Sequence, residues 1–373
     1  MLIIFFVFCM VIYSFSPIVS VFFCLIYAIV RHASRSTLEC VVVGFVISLS
    51  MATIYSGKLL ILASSTDFLI YYQYYQQVAS GVEWSEFRFE PGYYILTWLL
   101  TYFHFNEIQY SIVMSFISIY ANYLAVLCFA KKRYDAIPLL LVCVMSCFLF
   151  KIGSLALLWR QSISCAFIIF ALSSSRYISY IAVIISALFH ISSIYLYPML
   201  WFFLNKEIKP IYYYIVFFSS SILFFIKTFA YQYLPAFLIN TFGFAFGMEF
   251  QFMHFMDALK SIIYFVPVIC VVLFLSNNKN LRNTKDFQLI LFMSFFIMCI
   301  SFIPHSFRIL FPYSVILLAF FSTFILVRLR TYYPIMIFTL IFLGMCRFIS
   351  SDLAIQYDLV MNKPFEFWFV NAK

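Results

Sequence analysis

Charge is what this sequence has least of. Of 373 residues, 23 are Lys or Arg and 14 are Asp or Glu, so 10% are charged while 65% are apolar. A soluble domain carries about a quarter charged residues. A globule of this length cannot bury so much apolar side chain. That imbalance excludes a nucleic-acid-binding globule, a disordered tail and a disulfide scaffold, whatever the net charge of +9 suggests. Glycine is also scarce, with 8 residues, which argues against glycine-zipper packing as the main device between helices. There is no GxxxxGK[ST] loop, so an ATP-driven pump is excluded, and neither GxSxG nor HExxH occurs. The ten cysteines (9, 24, 40, 128, 143, 147, 165, 270, 299 and 346) contain no CxxC and lie in or beside apolar stretches. They read as packing residues, not as a disulfide framework or a metal site.

What the chain does have is long apolar runs. The first covers Leu2 to Val30 and ends at Arg31. It has no basic start and no small-residue cleavage site, so it reads as one retained helix. Further runs cover about 39–63, 106–130, 136–158, 162–175, 177–190, 191–204, 211–228, 261–276, 287–304, 309–327 and 333–349, with a half-helix at 92–104. The expectation is an all-α, polytopic integral membrane protein forming one membrane domain over 1–373. It would have about twelve transmembrane helices. The runs at 162–204 fall below the ~20 residues of a full crossing and are read as tilted, broken or re-entrant.

The loops between runs alternate in charge. Arg31, Arg35, Lys131, Lys132, Arg133, Arg176, Lys206, Lys209, Lys279, Arg282, Lys285, Arg328 and Arg330 fall on one side, with only Glu39, Asp135, Glu207 and Asp286 among them. This alternation gathers the whole basic excess on one face, which the positive-inside rule makes cytoplasmic. Both termini and the long loops at about 64–94 and 228–260 then lie outside.

The outer side carries four constellations. In the first loop, Asp67, Tyr71, Tyr74 and Tyr75 share one face of a short helix that Ser65 or Thr66 starts and Gly81 ends. Glu83, Glu86, Arg88 and the Glu90-Pro91-Gly92-Tyr93 turn follow. Aromatic faces stack on sugar rings and carboxylates bind hydroxyls; the alternative is an interfacial aromatic belt with solvated acids. Arg160 heads a span at its outer end, against the positive-inside pattern. A planar, permanently charged fork there suits a phosphate; a snorkelling anchor is the alternative. His190 sits in an outer turn before Ser192 and Ser193, suited to proton transfer or to a phosphate oxygen, or else is a satisfied buried histidine. Arg308, with His305 nearby, stands at another outer mouth, and His305 is a rival to His190. His254 and Asp257, one turn apart, and Lys151 and Lys227 are weaker candidates. No second ligand lies at metal spacing.

Taken in order, Asp67 with Tyr71 to Tyr75, the Glu90-Pro91-Gly92-Tyr93 turn, Arg160-Gln161, Phe189-His190 and Arg308 resemble the EpsG-like, Wzy-type family of bacterial polysaccharide polymerases, over about residues 40–350. The resemblance implies a polytopic fold like that of membrane (GT-C-like) glycosyltransferases. It implies an enzyme of the inner membrane whose active site faces the periplasm. The activity is O-antigen or exopolysaccharide polymerisation, in which the growing glycan moves from its polyprenyl diphosphate onto the next undecaprenyl-diphosphate-linked oligosaccharide repeat. No cofactor, metal or nucleotide is implied; the partners are lipid-linked repeats, membrane lipids and a chain-length regulator, with no nucleic acid. For such a reaction Arg160 and Arg308 are assigned to the diphosphate. His190, Asp67 and Glu90 are the candidate acid–base groups, and Tyr71, Tyr74, Tyr75 and Tyr93 the candidate sugar contacts. A lipid-linked-oligosaccharide flippase and an O-antigen ligase are the alternatives.

Overall fold

The computed structural model describes residues 2–61, 67–82, 89–225, 279–301, 310–329 and 338. Every regular element among them is helical. They divide into two compact units, one of residues 1–197 with 326–373 and one of residues 198–325.

The first apolar run is not one helix. It is two of 14 residues, α1 (Leu2–Phe15) and α2 (Pro17–Val30). Pro17 lacks the N–H that would continue the ladder, and Ser16 in extended conformation caps α2 by accepting from Val19 N–H. The two helices fold back on each other. Phe5 stacks on Tyr27 with centroids 3.9 Å apart, Phe8 meets Phe23 edge-on, and Ser20 Oγ donates to the Cys9 carbonyl. Each helix is only about 21 Å long, short of a ~30 Å hydrocarbon core. The run is therefore a hairpin whose start returns to the end that carries Arg31, which corrects the single span and brings its first residues to the Arg31 end instead of the opposite one.

Two described helices are long and apolar enough to cross a membrane, at Thr37–Ser56 and Glu107–Arg133. The first lies within α3 (Thr37–Ile61), and the second is α6. They run antiparallel: Tyr120 Oη donates to the Val41 carbonyl, and Phe45 packs on Phe116 and Tyr120. Asn106 starts α6 with a capping box that engages Gln109. The expected crossing at 136–158 is broken into α7 (Leu139–Leu149) and α8 (Ile152–Leu157). After a second break at Leu158, α9 (Trp159–Ser173) runs parallel to α6, placing Trp159 on Tyr110, Ser162 at Asn122 and Phe170 under Lys132. Next, α10 (Arg176–Phe189) returns antiparallel to α9. The expected short elements at 162–204 are thus real: α9, α10 and α11 (Ser193–Asn205) have 15, 14 and 13 residues.

The faces of α10 are inverted relative to a soluble helix. Ser179, Ala182 and Ser186 are buried, whereas Tyr177, Ile178, Ile181, Ile184 and Leu188 are exposed. Ser179 Oγ donates to the Ala171 carbonyl and Ser186 Oγ to the Ser164 carbonyl. Small hydroxylated residues inside and bulky apolar ones outside are what lipid selects, because tails solvate leucine as well as a core does. Serine takes the close-packing role that glycine is too scarce to fill. In the second unit, α12 (Pro210–Phe225) shows the same inversion, with Val216 and Ser220 inside and Phe217, Phe218 and Ile222 outside. It packs on the helix Lys285–Ile300 through Tyr213 against Phe292 and Phe295. The π-helical turns Pro312–Leu317 run into the helix Leu318–Arg328. The expected span 261–276 and the loop 228–260 lie outside the described residues, as does the expected span 333–349 apart from residue 338.

This order fixes the two ends of the first unit. Leu140 N–H donates to the Ser34 carbonyl, so the Arg31–Arg35 and Lys131–Arg133 segments share one end, and Arg176 lies there too, following α9. Arg160 and His190, at the far ends of α9 and α10, lie at the other.

Candidate functional site

Three polar side chains from distant parts of the chain meet at that other end. Glu90 is the N-cap of α5 (Pro91–Thr101), the expected half-helix, with Pro91 at its first position. Its carboxylate makes no capping bond and turns outward from the helix. One oxygen, Oε2, accepts a hydrogen bond from Arg160 Nη1. The other, Oε1, lies 3.1 Å from His190 Nδ1. An ionised carboxylate only accepts, so Nδ1 is the donor in this hydrogen bond. All three side chains are partly accessible, at 22% for Arg160, 20% for Glu90 and 27% for His190.

Each is held by its element. The break at Leu158 lets α9 begin at Trp159, which is buried and whose indole N–H donates to Ser115 Oγ. That anchor points the next residue, Arg160, out of the helix start. Its guanidinium lies over the Phe89 ring, 4.4 Å from the centroid, and its Nε donates to Tyr71 Oη at 3.4 Å. His190 ends α10 in extended conformation, with its N–H on the Ser186 carbonyl and its own carbonyl accepting from Ser193 Oγ. Burial alone would raise the Glu90 carboxyl, but the hydrogen bond from His190 and the charge of Arg160 outweigh it and bring it below the ordinary carboxylate value.

The tyrosines stand behind this cluster. Helix α4 (Asp67–Ala79) ends as expected near Gly81, whose φ of +91° only glycine adopts freely. Tyr71, Tyr74 and Tyr75 do share one face, but with Tyr93 they are 0–4% exposed and pack on one another, on Phe89 and on Tyr110 and Trp159. Tyr93 and Tyr110 hydroxyls are 3.0 Å apart, and Tyr75 Oη accepts from Phe105 N–H. These rings form an aromatic wall, not the open stacking platforms expected from the loop; apolar ring faces bury each other wherever two helices bring them together. An aromatic belt at a lipid surface does not describe them either.

Asp67 starts α4, but its side chain is outside the described residues, as are Glu83, Glu86, Arg88, Lys227, His254, Asp257, His305 and Arg308. Lys151 lies at the α7–α8 break. Among the described residues no group of three His, Cys, Asp or Glu side chains forms a metal site, and the described cysteines are free thiols. The residue that sequence reasoning passed over is Phe89. Its signal was present, an aromatic directly before the acid of the Glu90-Pro91 turn, but its use depends on Arg160 arriving from 71 residues away.

A partly accessible arginine, carboxylate and histidine thus meet, walled by aromatics, at one end of helices that turn bulky apolar side chains outward, the pattern of a membrane protein. The EpsG family model matches residues 61–359, and the chain belongs to the EpsG family, whose members are polysaccharide-polymerase-like. No curated protein and no solved structure matches.

Proposed function

We propose that this protein is a surface-polysaccharide polymerase, a glycosyltransferase that moves a growing glycan from polyprenyl diphosphate onto the next lipid-linked oligosaccharide repeat. The observation that carries this reading is the Arg160–Glu90–His190 cluster at the helix ends opposite the basic loops. With those loops cytoplasmic, the cluster faces the periplasm of a bacterial inner membrane, where flipped undecaprenyl-diphosphate repeats are met. The O-antigen or exopolysaccharide nature of the product, the GT-C-like relation and a chain-length regulator as partner belong to the same proposal.

The chemistry assigns the roles. The acceptor hydroxyl oxygen attacks the anomeric carbon, and the carbon–oxygen bond to the diphosphate breaks with its electron pair going to the diphosphate. The hydroxyl proton passes to His190 Nε2. Glu90 orients the imidazole and stabilises its charged form, as a carboxylate does for a catalytic histidine. Arg160 offers its remaining N–H groups to the charge growing on the diphosphate. Arg308 is proposed as a second diphosphate contact and Asp67 as an acceptor-binding group. Tyr71 contributes its hydroxyl beside Arg160, while Tyr74, Tyr75 and Tyr93 keep the wall rigid.

The test is a surface-polysaccharide ladder from a strain lacking this gene, complemented with wild type or with Arg160→Ala. Collapse to a single-repeat band that wild type rescues and Arg160→Ala does not is expected. Loss of the single-repeat band as well would indicate a ligase or flippase, and an unchanged ladder would sink the reading.

A further inference from the structure

Gly92 sits where two backbones touch. It lies in the first turn of α5, two residues after Glu90, and is buried. A Cβ added there would stand 2.8 Å from the Leu188 carbonyl oxygen, 2.9 Å from the Leu188 carbonyl carbon and 3.2 Å from Leu188 Cβ. Carbon atoms in contact settle at about 3.5–4.0 Å. Two of the three neighbours are main-chain atoms of α10, so no rotamer change relieves the overlap. The only described glycine with a positive φ is Gly81. Position 92 therefore needs glycine for its missing side chain, not for its backbone freedom.

The location of this contact gives it a consequence. Leu188 lies two residues before His190, as Gly92 lies two after Glu90. The bare-backbone approach of α5 to α10 thus lies two residues along each chain from the 3.1 Å bond between Glu90 Oε1 and His190 Nδ1. We infer that Gly92 is a positioning residue. It sets the helix spacing at which Glu90 reaches His190 and holds its imidazole in the Nδ1-protonated form, leaving Nε2 as base. This rests on the polymerase reading for its purpose but not for its measurement. A methyl group at 92 parts the helix ends, and a hydrogen bond at 3.1 Å has little room to lengthen before it is lost.

The experiment uses the full chain in lipid nanodiscs with 15N-labelled histidine, the His190 resonances being assigned by their loss in His190→Gln. In wild type His190 should show protonated Nδ1. Gly92→Ala should abolish that preference, as Glu90→Gln does, and the double variant should match either single one. With a lipid-linked repeat as substrate, kcat should fall about tenfold in each single variant and no further in the double, the non-additivity of two changes acting on one contact. A protonated Nδ1 retained in Gly92→Ala, or losses that multiply in the double variant, would overturn the inference. Glu90→Asp keeps the test alive if Gly92→Ala does not accumulate. With the backbones already in contact, the helices cannot close in to make up the lost methylene, so the Nδ1 preference should vanish there too, and its survival would count against the proposal. A wild-type protein inert on lipid-linked repeats, yet with the tautomer response intact, would remove the polymerase reading and leave the positioning role standing.

Discussion

Among the described residues the first unit carries two arginine–carboxylate pairs, one at each end, and they are built differently. At the basic end Arg31 bonds Glu39 at 2.8 Å, with Ser34 on the other carboxylate oxygen. All three residues lie within nine positions of one another, and the arginine side chain is 43% exposed. This pair closes a turn between α2 and α3. At the opposite end Arg160 and Glu90 are 70 residues apart, and Glu90 and His190 are 100 apart. Their side chains are about half as exposed as Arg31, and Phe89 and Tyr71 crowd the arginine. A local pair orders its own loop. A long-range cluster of three elements joins α5, α9 and α10 and leaves its charged groups partly accessible, which is what the proposed function uses.

That contrast can be broken in graded steps. Arg160→Ala should reduce polymer formation by about 10²–10³-fold, the loss typical of removing a transition-state donor, read as collapse of the ladder in cells. Arg160→Lys should recover only part of it, since a point charge lacks the fork that serves both Glu90 and a phosphate. His190→Ala should slow turnover by about 10²-fold through loss of the base, measured on purified protein with lipid-linked repeat. Glu90→Gln should cost about tenfold, roughly what one charge-assisted hydrogen bond supplies.

The same residue sharpens the comparison through pH. Because the folded Glu90 carboxyl lies below its unfolded value, its pairing stabilises the protein above the ordinary carboxylate range. That contribution should fade as pH falls through the depressed value, and the thermal midpoint of Glu90→Gln should show less of this acid decline than wild type. The smallest effect belongs to the other pair: Arg31→Ala, exposed and remote, should leave the ladder indistinguishable from wild type. A collapsed ladder there would erase the distinction between the two ends.

Much of the fold was legible along the chain because its signals are local. Gly81 ends α4, Asn106 and Gln109 start α6, and Pro91 opens α5, each by the chemistry of one turn. The short elements at 162–204 follow from run lengths alone. The hairpin at Leu2–Val30 was equally local, since Ser16-Pro17 is a cap followed by an N1 proline. It was hidden because 29 consecutive residues without a charge look like one span.

What the sequence by itself determined is composition, periodicity and the spacing of the basic loops, hence a helical membrane protein with Arg160, Glu90 and His190 among its candidates. Only tertiary structure decided that these three form one cluster, that Phe89 lies beneath the arginine and that Tyr71, Tyr74, Tyr75 and Tyr93 are wall and not platform. The physical reason is range. Caps, breaks and charge bias act within a turn or a loop, whereas a bond between residues 70 or 100 positions apart exists only once α5, α9 and α10 have packed.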